Sequence, residues 1–347
     1  MKKILIVGGA GFIGTHVAMF YLRRGEKVHV ADNLSRNGSR VNLELLEVFA
    51  ATSPGKLVFH HLNIRVRHDV ETIMAELNPD LIVHTAAQVA VTTSVANPRL
   101  DFEINAVGTF NLLEAYRNLA PEAFFIYAST NKVYGGMHDV AIVEEAKRYR
   151  FRDLPDGADE TCNLDFHSPY GCSKGAADQY VRDYARIYGL RTTVFRQSCI
   201  YGTHQFGVED QGWIAWFIIA RLLEKQVTIY GSGKQVRDIL WVEDMVEAYH
   251  AAWTLDKGGS VFNLGGGSAN SLSLIELTEL LDEVHPSKTE LKFGDIRPGD
   301  QPVYIANSNL ARRELNWSPK TSPKQGIEKL YAWLRDHRHL VEKVLKA

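Results

Sequence analysis

Cysteine is scarce in this chain. Three in 347 residues, Cys162, Cys172 and Cys199, are an odd number, too few for a disulfide framework, and their spacing fits no metal site. They suit a reducing compartment, and Cys172 and Cys199 read as structural. Long apolar runs are missing as well. MKKILIV starts like a secretory signal, but after four apolar residues it meets a glycine-rich turn where the apolar stretch should continue. The most apolar later stretch, WIAWFIIARLL at 213–223, contains Arg221 and is too short to cross a bilayer. Charge of one sign is lacking too: 39 Lys and Arg stand against 41 Asp and Glu, a net charge of −2. With no basic block, nucleic acid and anionic membranes are poor partners. The histidines show no metal-ligand spacing, so no metal is expected. There is no internal repeat and no low-complexity tract. The expectation is a soluble cytoplasmic protein with a small-molecule partner.

What is present is a chain that is 45% hydrophobic and 23% charged, long enough for one large domain or two smaller ones. Short apolar runs at 4–7, 28–32, 57–62, 80–87 and 124–129 alternate with segments of helical period, such as 98–120. That alternation implies right-handed crossovers and a doubly wound parallel sheet, an α/β fold of Rossmann type. A sixth strand is expected at 192–198, after a helix beginning near Tyr170. The second half mixes short strands (227–231, 237–242, 260–265, 290–296) with helices at 211–225, 273–284 and 323–345, and the charged stretch VEEAKRYRFRD at 143–153 reads as a solvated face of an insertion. The division reads as a dinucleotide-type domain over 1–190, with the strand near 192–198 and a helix near 243–255. A smaller, interleaved substrate domain takes most of 199–347.

Gly8-Gly9-Ala10-Gly11-Phe12-Ile13-Gly14 lies between the first strand and a helix. Gly8 permits the tight turn, Gly11 lets a pyrophosphate approach the backbone, and Gly14 allows close packing, with the helix N-terminus facing the anion. Asp32 ends the second strand 18 residues later, placed to accept from ribose hydroxyls, which favours NAD. Arg36 nearby could instead meet a 2′-phosphate. Further on, Tyr170 and Lys174 are four apart and share a helix face. A free tyrosine is a poor base at neutral pH, but a lysine ammonium and a positive nicotinamide ring would stabilise its phenolate. Thr130, at the end of the fifth strand, supplies a third group.

Together, Gly8–Gly14, His84-Thr85-Ala86-Ala87, Asn105, S-T-x-x-V-Y-G at 129–135 and the Tyr170/Lys174 pair resemble the extended short-chain dehydrogenase/reductase family, its nucleotide-sugar epimerases and dehydratases above all. The resemblance covers essentially the whole chain. It implies that Thr130, Tyr170 and Lys174 are the catalytic hydroxyl, the acid/base and its electrostatic partner. It implies NAD contacts from Gly8, Gly11, Phe12, Ile13, Gly14, Asp32, Asn33, Ser35, Arg36, Asn63, Ile64, Ala86, Ala87, Gln88, Asn105, Ser129, Tyr170 and Lys174. Asn63 stands where many relatives carry an aspartate. For a nucleotide-diphosphate sugar it implies Gln88, Thr93, Thr130, Asn131, Tyr170 and Gln211, with Arg237 and Arg297 on the diphosphate and Asp300 near the ribose. Arginine suits phosphate because its planar fork makes paired, charge-assisted bonds.

Family members that dehydrate sugars carry two acids after the threonine, and elimination needs a proton donor for the leaving hydroxyl and a base for the carbon acid. Here Asn131 and Lys132 take those places, which argues for epimerisation over dehydration. Five longer stretches (89–105, 129–136, 163–180, 210–213, 231–240) resemble nucleotide-sugar 2-epimerases more than 4-epimerases, whereas spacing and charge alone leave C2 and C4 open. Helices 98–118 and 170–188 resemble the pair through which relatives dimerise, so a homodimer or homotetramer is expected. Two readings of other classes are a silent dinucleotide sensor, which would not need Tyr170 and Lys174, and an RNA-binding relative, which would need a basic stripe.

Overall fold

The structure, a computed structural model, describes residues 1–284, 290–295 and 301–346. It divides into two units. One comprises residues 1–130, 168–196 and 246–262, and the other 131–167, 197–245 and 263–347.

The first unit is built on β-branched and aromatic runs that form the strands of one sheet: β1 (Lys3–Val7), β2 (Lys27–Asp32), β3 (Lys56–His61), β4 (Leu81–His84), β5 (Phe124–Thr130), β6 (Thr192–Gln197) and β7 (Ser260–Leu264). Their spatial order is β7-β6-β5-β4-β1-β2-β3. The five strands from β5 to β3 run parallel, in a register that pairs Ile4 with both Val28 and Leu81, and Leu81 with Phe124. The chain leaves β1 toward β2 and β3, then returns to the other side of β1. That reversal opens a crevice at the carboxyl ends of β1 and β4, where α/β sheets of this kind bind ligands.

The connecting helices are α1 (Phe12–Arg23), α2 (Ser39–Ala51), α3 (Arg67–Leu77), α4 (Val91–Ala96), α5 (Pro98–Phe102), α6 (Gly108–Leu119), α7 (Ser168–Tyr188) and α8 (Val242–Thr254). Leu5, Val7, Ile82, Phe125 and Tyr127 project from one face of the sheet into a core with Val70 and Met74 of α3, Leu112 and Tyr116 of α6, and Ala177, Val181 and Tyr184 of α7. Burial of each large side chain there contributes about 1.5–3 kcal/mol, enough to fix the helices that carry the site residues.

Several readings of the sequence change. The stretch 98–120 is not one α-helix, because α5 passes through a π turn (Glu103–Val107) before α6. In that turn the Gly108 N–H donates to the Glu103 carbonyl five residues back, and the Asn105 carbonyl accepts from the Thr109 hydroxyl at 2.6 Å. The run 260–264 joins the central sheet as a seventh strand. The stretch 143–153 forms an antiparallel hairpin, Ile142–Glu144 with Tyr149–Phe151. Its Arg148 is not simply solvated: it makes paired bonds to Glu276 at 2.6 and 2.7 Å.

The second unit contains residues 131–167, which the sequence reading assigned to the first domain. Their apolar residues Val133, Tyr134 and Phe151 cluster with Val236, Val303 and Tyr304. Strands Cys199–Tyr201, Val236–Trp241, Ser271–Ser273 and Val303–Tyr304 make its four-stranded sheet. Helices Trp213–Leu222, Leu274–Val284 and Pro323–Asp336 share a core that includes Ile218, Trp241, Leu277 and Leu330. The expected helix at 323–345 breaks at His337, whose ring stacks on Trp333 and bonds its carbonyl at 2.8 Å, and a second helix, Arg338–Lys346, follows. Among the described residues no helix is long and apolar enough to cross a membrane.

Candidate active site

The glycine turn closes on itself at the end of β1. Gly8 has φ +81°, and its N–H donates to Ala31 while Gly11 N–H donates to Gly8, at 2.8 and 3.1 Å. A Cβ on Gly8 would lie 2.6 Å from Ala86 Cα, and one on Gly14 2.5 Å from Gly9 Cα, so both glycines are required by the turn itself. Gly11 differs. A Cβ there would meet only the Gly8 carbonyl, at 3.2 Å, and otherwise point into open space. It is the N-cap of α1, with no side-chain cap and no acid in the first turn, so the helix N-terminus is left for an external anion.

Asp32 completes this end. Its oxygens accept from Ala10 N–H at 3.1 Å and Leu34 N–H at 2.8 Å. Burial raises its pKa, and the backbone donors hold it down in part. Asn33 caps its own turn by accepting from Ser35, Ser35 and Arg36 are exposed, and Asn63 accepts from Arg65 N–H at 3.1 Å. Ile64 is buried, and its carbonyl accepts from Asn111 at 2.9 Å. An open glycine, an uncapped helix end and a carboxylate one strand over fit a dinucleotide with free ribose hydroxyls.

Across the reversal point stand the residues after β4 and at the end of β5. Asn105, in the π turn, is clamped to the Gln88 backbone in both directions, at 2.9 and 3.0 Å. Thr109, which donates to Asn105, must accept from His84 Nε2–H, at 2.9 Å. Burial holds the His84 pKa well below its usual value, so this strand-end histidine is a neutral packing group.

Helix α7 brings Tyr170 and Lys174 to Thr130. Ser168, at φ +65°, opens the helix and accepts from Gly171 N–H at 3.2 Å. Tyr170, Lys174, Thr130 and Ser129 are all buried. The phenol is pushed up to about 12 by burial, while its hydrogen bond with the Thr130 hydroxyl pulls it down and the Asp101 charge adds to the rise. Lys174 Nζ donates to the Ala128 carbonyl at 2.6 Å and lies 4.2 Å from the centre of the Tyr127 ring. Burial brings its pKa to about 7, against the upward pull of Asp178 and Asp101. The lysine is therefore poised where small changes of field decide its charge, and a cation beside Tyr170 is what a phenolate base needs.

Three groups escaped the sequence reading. Asp178 and Arg196 form a buried pair, with bonds of 3.0 Å from both Nε and Nη2, and Asp178 also accepts from Ser129 at 2.8 Å. Asp178 is one helical turn after Lys174, a spacing that could have drawn notice, but Arg196 comes from β6 and had no local signal. Asp101 is fully buried on α5.

The structure thus gathers Gly8, Gly11, Phe12, Ile13, Gly14, Asp32, Ala86, Ala87, Gln88, Asn105, Ser129, Thr130, Tyr170 and Lys174 on the first unit at the carboxyl end of its sheet. Thr93 is exposed on α4. The second unit holds Asn131, buried, Gln211, half-buried, and Arg237, which donates to the Val236 carbonyl at 2.8 Å. Lys132, also there, donates to Gln301 at 3.0 Å. Arg297 and Asp300 lie outside the described residues.

Comparison with known proteins agrees in kind. A family model described as GDP-mannose 4,6 dehydratase matches residues 5–330. A CDP-paratose 2-epimerase of Salmonella typhi is 47% identical over 340 residues, covering 95% of this chain and 98% of that protein. A dTDP-glucose 4,6-dehydratase of Shigella flexneri is 33% identical over 357 residues, 99% and 95% of the two chains. Among solved structures, a UDP-glucose 4-epimerase of Thermus thermophilus, in complex with NAD, matches with a TM-score of 0.80 at 30% identity, covering 96% and 99%.

Proposed function

We propose that this chain, which belongs to the GDP-mannose 4,6-dehydratase family of extended short-chain dehydrogenases/reductases, is an NAD-dependent nucleotide-sugar 2-epimerase of the CDP-paratose type. The relative that is 47% identical over nearly the full length of both chains supports this reading. The observation that carries it is chemical: Thr130 is followed by Asn131 and Lys132, and Lys132 is bonded to Gln301. No acid stands at the two positions an elimination would use.

The glycine turn and Asp32 would hold NAD, which when bound would supply the hydride acceptor for a transient oxidation of the sugar. The protein moves the proton. Tyr170 takes it from the substrate hydroxyl and gives it back. Thr130 holds the phenol in line and favours its ionised form. Lys174 provides the positive charge that brings the phenol within range, as a general base must be near the working pH. Arg237 pairs with the substrate diphosphate, since an arginine fork matches phosphate oxygens. The exposed apolar side chains Phe110, Tyr180, Ile187 and Tyr188 on α6 and α7 support homodimerisation through those helices. With nucleotide sugars as substrates, the enzyme works in the cytoplasm.

The test is NMR of a CDP-sugar deuterated at C2. Inversion at C2 with the label retained supports the proposal. Loss of label to solvent would sink the hydride route, and inversion at C4 alone would make the protein a 4-epimerase, as the Thermus thermophilus relative is. Appearance of a 4-keto-6-deoxy product would mean that elimination occurs after all.

A further inference from the structure

Asp101 is a carboxylate where carboxylates are rarely left. It has no exposed surface, and among the described residues no lysine or arginine bonds it. Its partners are neutral: the Ser173 hydroxyl at 2.5 Å, the Gln88 amide at 2.8 Å and the Asn105 amide at 3.1 Å. Burying a carboxylate without a bonded counter-ion is costly, and the three donated hydrogen bonds offset part of that cost. Each donor is itself fixed. Asn105 is locked to the Gln88 backbone, and Gln88 is held by a further bond to the Ala90 carbonyl at 2.9 Å. Ser173 precedes Lys174 by one residue and follows Tyr170 by three.

Other groups face the same pair. Asp178 lies on α7, His84 on β4 and Tyr127 on β5. Asp178, paired by two bonds from Arg196, raises the Lys174 pKa more than Asp101 does, but Asp101 raises the pKa of Tyr170 as well, and no lysine or arginine among the described residues bonds it. Tyr127 and His84 are neutral. Asp101 is therefore the carboxylate whose field reaches both Tyr170 and Lys174.

We propose that Asp101 is a positioning residue for the proton-transfer pair: its fixed charge keeps Lys174 an ammonium, and its bond to Ser173 sets the turn of α7 that carries Tyr170. This rests on the reading of Tyr170 and Lys174 given above. The electrostatics agree, because the charge raises the proton affinity of both groups against the burial that strips Lys174. Removing it lowers both pKa values. Lys174 then loses its proton at a lower pH, and the phenol ionises at a lower pH.

The experiment compares wild type with Asp101→Asn, a near-isosteric change, at equal cofactor occupancy. In protein labelled with 13C-lysine, the Lys174 Cε resonance, assigned through Lys174→Met, is titrated by NMR. The expected result is a downward shift of about one pH unit, the usual scale for a neighbouring buried charge. Both limbs of the kcat/KM profile should move down with it. Ser173→Ala keeps the charge and removes the clamp, so it should lower kcat and leave the Lys174 titration in place. If Asp101→Asn does not fold, Asp101→Ser carries the same test without an added amide. An unmoved Lys174 titration overturns the proposal, as does an equal shift in Ser173→Ala or a kcat/KM that falls evenly at every pH. The titration needs no substrate, so inactivity toward CDP-sugars would count against the function and leave this inference standing.

Discussion

Two glycines of one turn should fail for opposite reasons. In Gly14→Ala the new Cβ would sit 2.5 Å from Gly9 Cα and 2.9 Å from Gly8 C, where carbon–carbon contacts prefer about 3.5–4.0 Å. The obstructing atoms are backbone of the same turn, so no side chain can swing away. Overpacking of this kind typically costs about 1–3 kcal/mol, and a rigid turn should place it at the upper end, about 3 kcal/mol. Gly11→Ala meets only the Gly8 carbonyl, at 3.2 Å, and its φ of −71° and ψ of 170° suit any residue. Replacing glycine by alanine at a helix N-cap costs a few tenths of a kcal/mol, and stiffening the unfolded chain offsets about 0.4–1 kcal/mol. Its stability should stay within about 0.5 kcal/mol of wild type. At the turn proposed to hold NAD, however, the methyl would crowd the pyrophosphate, so dinucleotide affinity should fall about ten- to a hundredfold, roughly 1.4–2.8 kcal/mol. Urea unfolding of cofactor-stripped protein measures the first effect, and mass spectrometry of NAD released on denaturation measures the second. A Gly11→Ala protein that keeps its full NAD, or loses as much stability as Gly14→Ala, would refute the reasoning.

Tyr170→Phe should fold and lose about 10²–10⁴-fold in turnover, with Thr130→Val losing less because it removes only a supporting bond. Near-normal turnover in Tyr170→Phe would reassign the acid/base. Arg196→Met leaves Asp178 buried and unpaired, so stability should fall by about 3–5 kcal/mol, and adding Asp178→Asn should recover part of the loss. If the double variant is no better than the single one, the charge is not the cause. Acid stability has an identifiable contributor in His29, whose Nδ1 shares a proton with His60 at 2.9 Å. Burial, then the neighbouring His60, Lys27 and Lys3, lower its pKa from 6.5 to about 4. The folded state thus resists a proton that the unfolded chain accepts, so stability is full above about 6.5 and declines as pH falls toward 4. Urea midpoints compared at about pH 7 and about pH 5 should differ less in His29→Leu than in wild type; an equal difference would assign the loss to other groups.

The dinucleotide end was legible because its signals are local. A buried strand, a glycine turn and an amphipathic helix each announce themselves within a few residues, and Tyr170 and Lys174 meet by helix period alone. Asn131 and Lys132 could be read for the same reason, since they follow Thr130 in the chain. The hairpin of 142–151 was harder: a charged stretch looks solvated until its partner is known, and Arg148 finds Glu276 128 residues away.

By itself, then, the sequence determined the strand–helix alternation, the glycine turn that opens α1 and the shared helix face of Tyr170 and Lys174, all written in periods of two and 3.6 residues. Only the tertiary structure decided that residues 131–167 cluster with the second unit, that 260–264 supply a seventh strand, and that Arg196 pairs with Asp178 while no lysine or arginine among the described residues bonds Asp101. The reason lies in burial. Whether a charge is buried, and what it meets there, depends on segments far apart in the chain closing over it. The Asp101 carboxylate, one polar residue among several on a helical stretch, acquires its meaning only when Ser173, 72 residues on, donates to it.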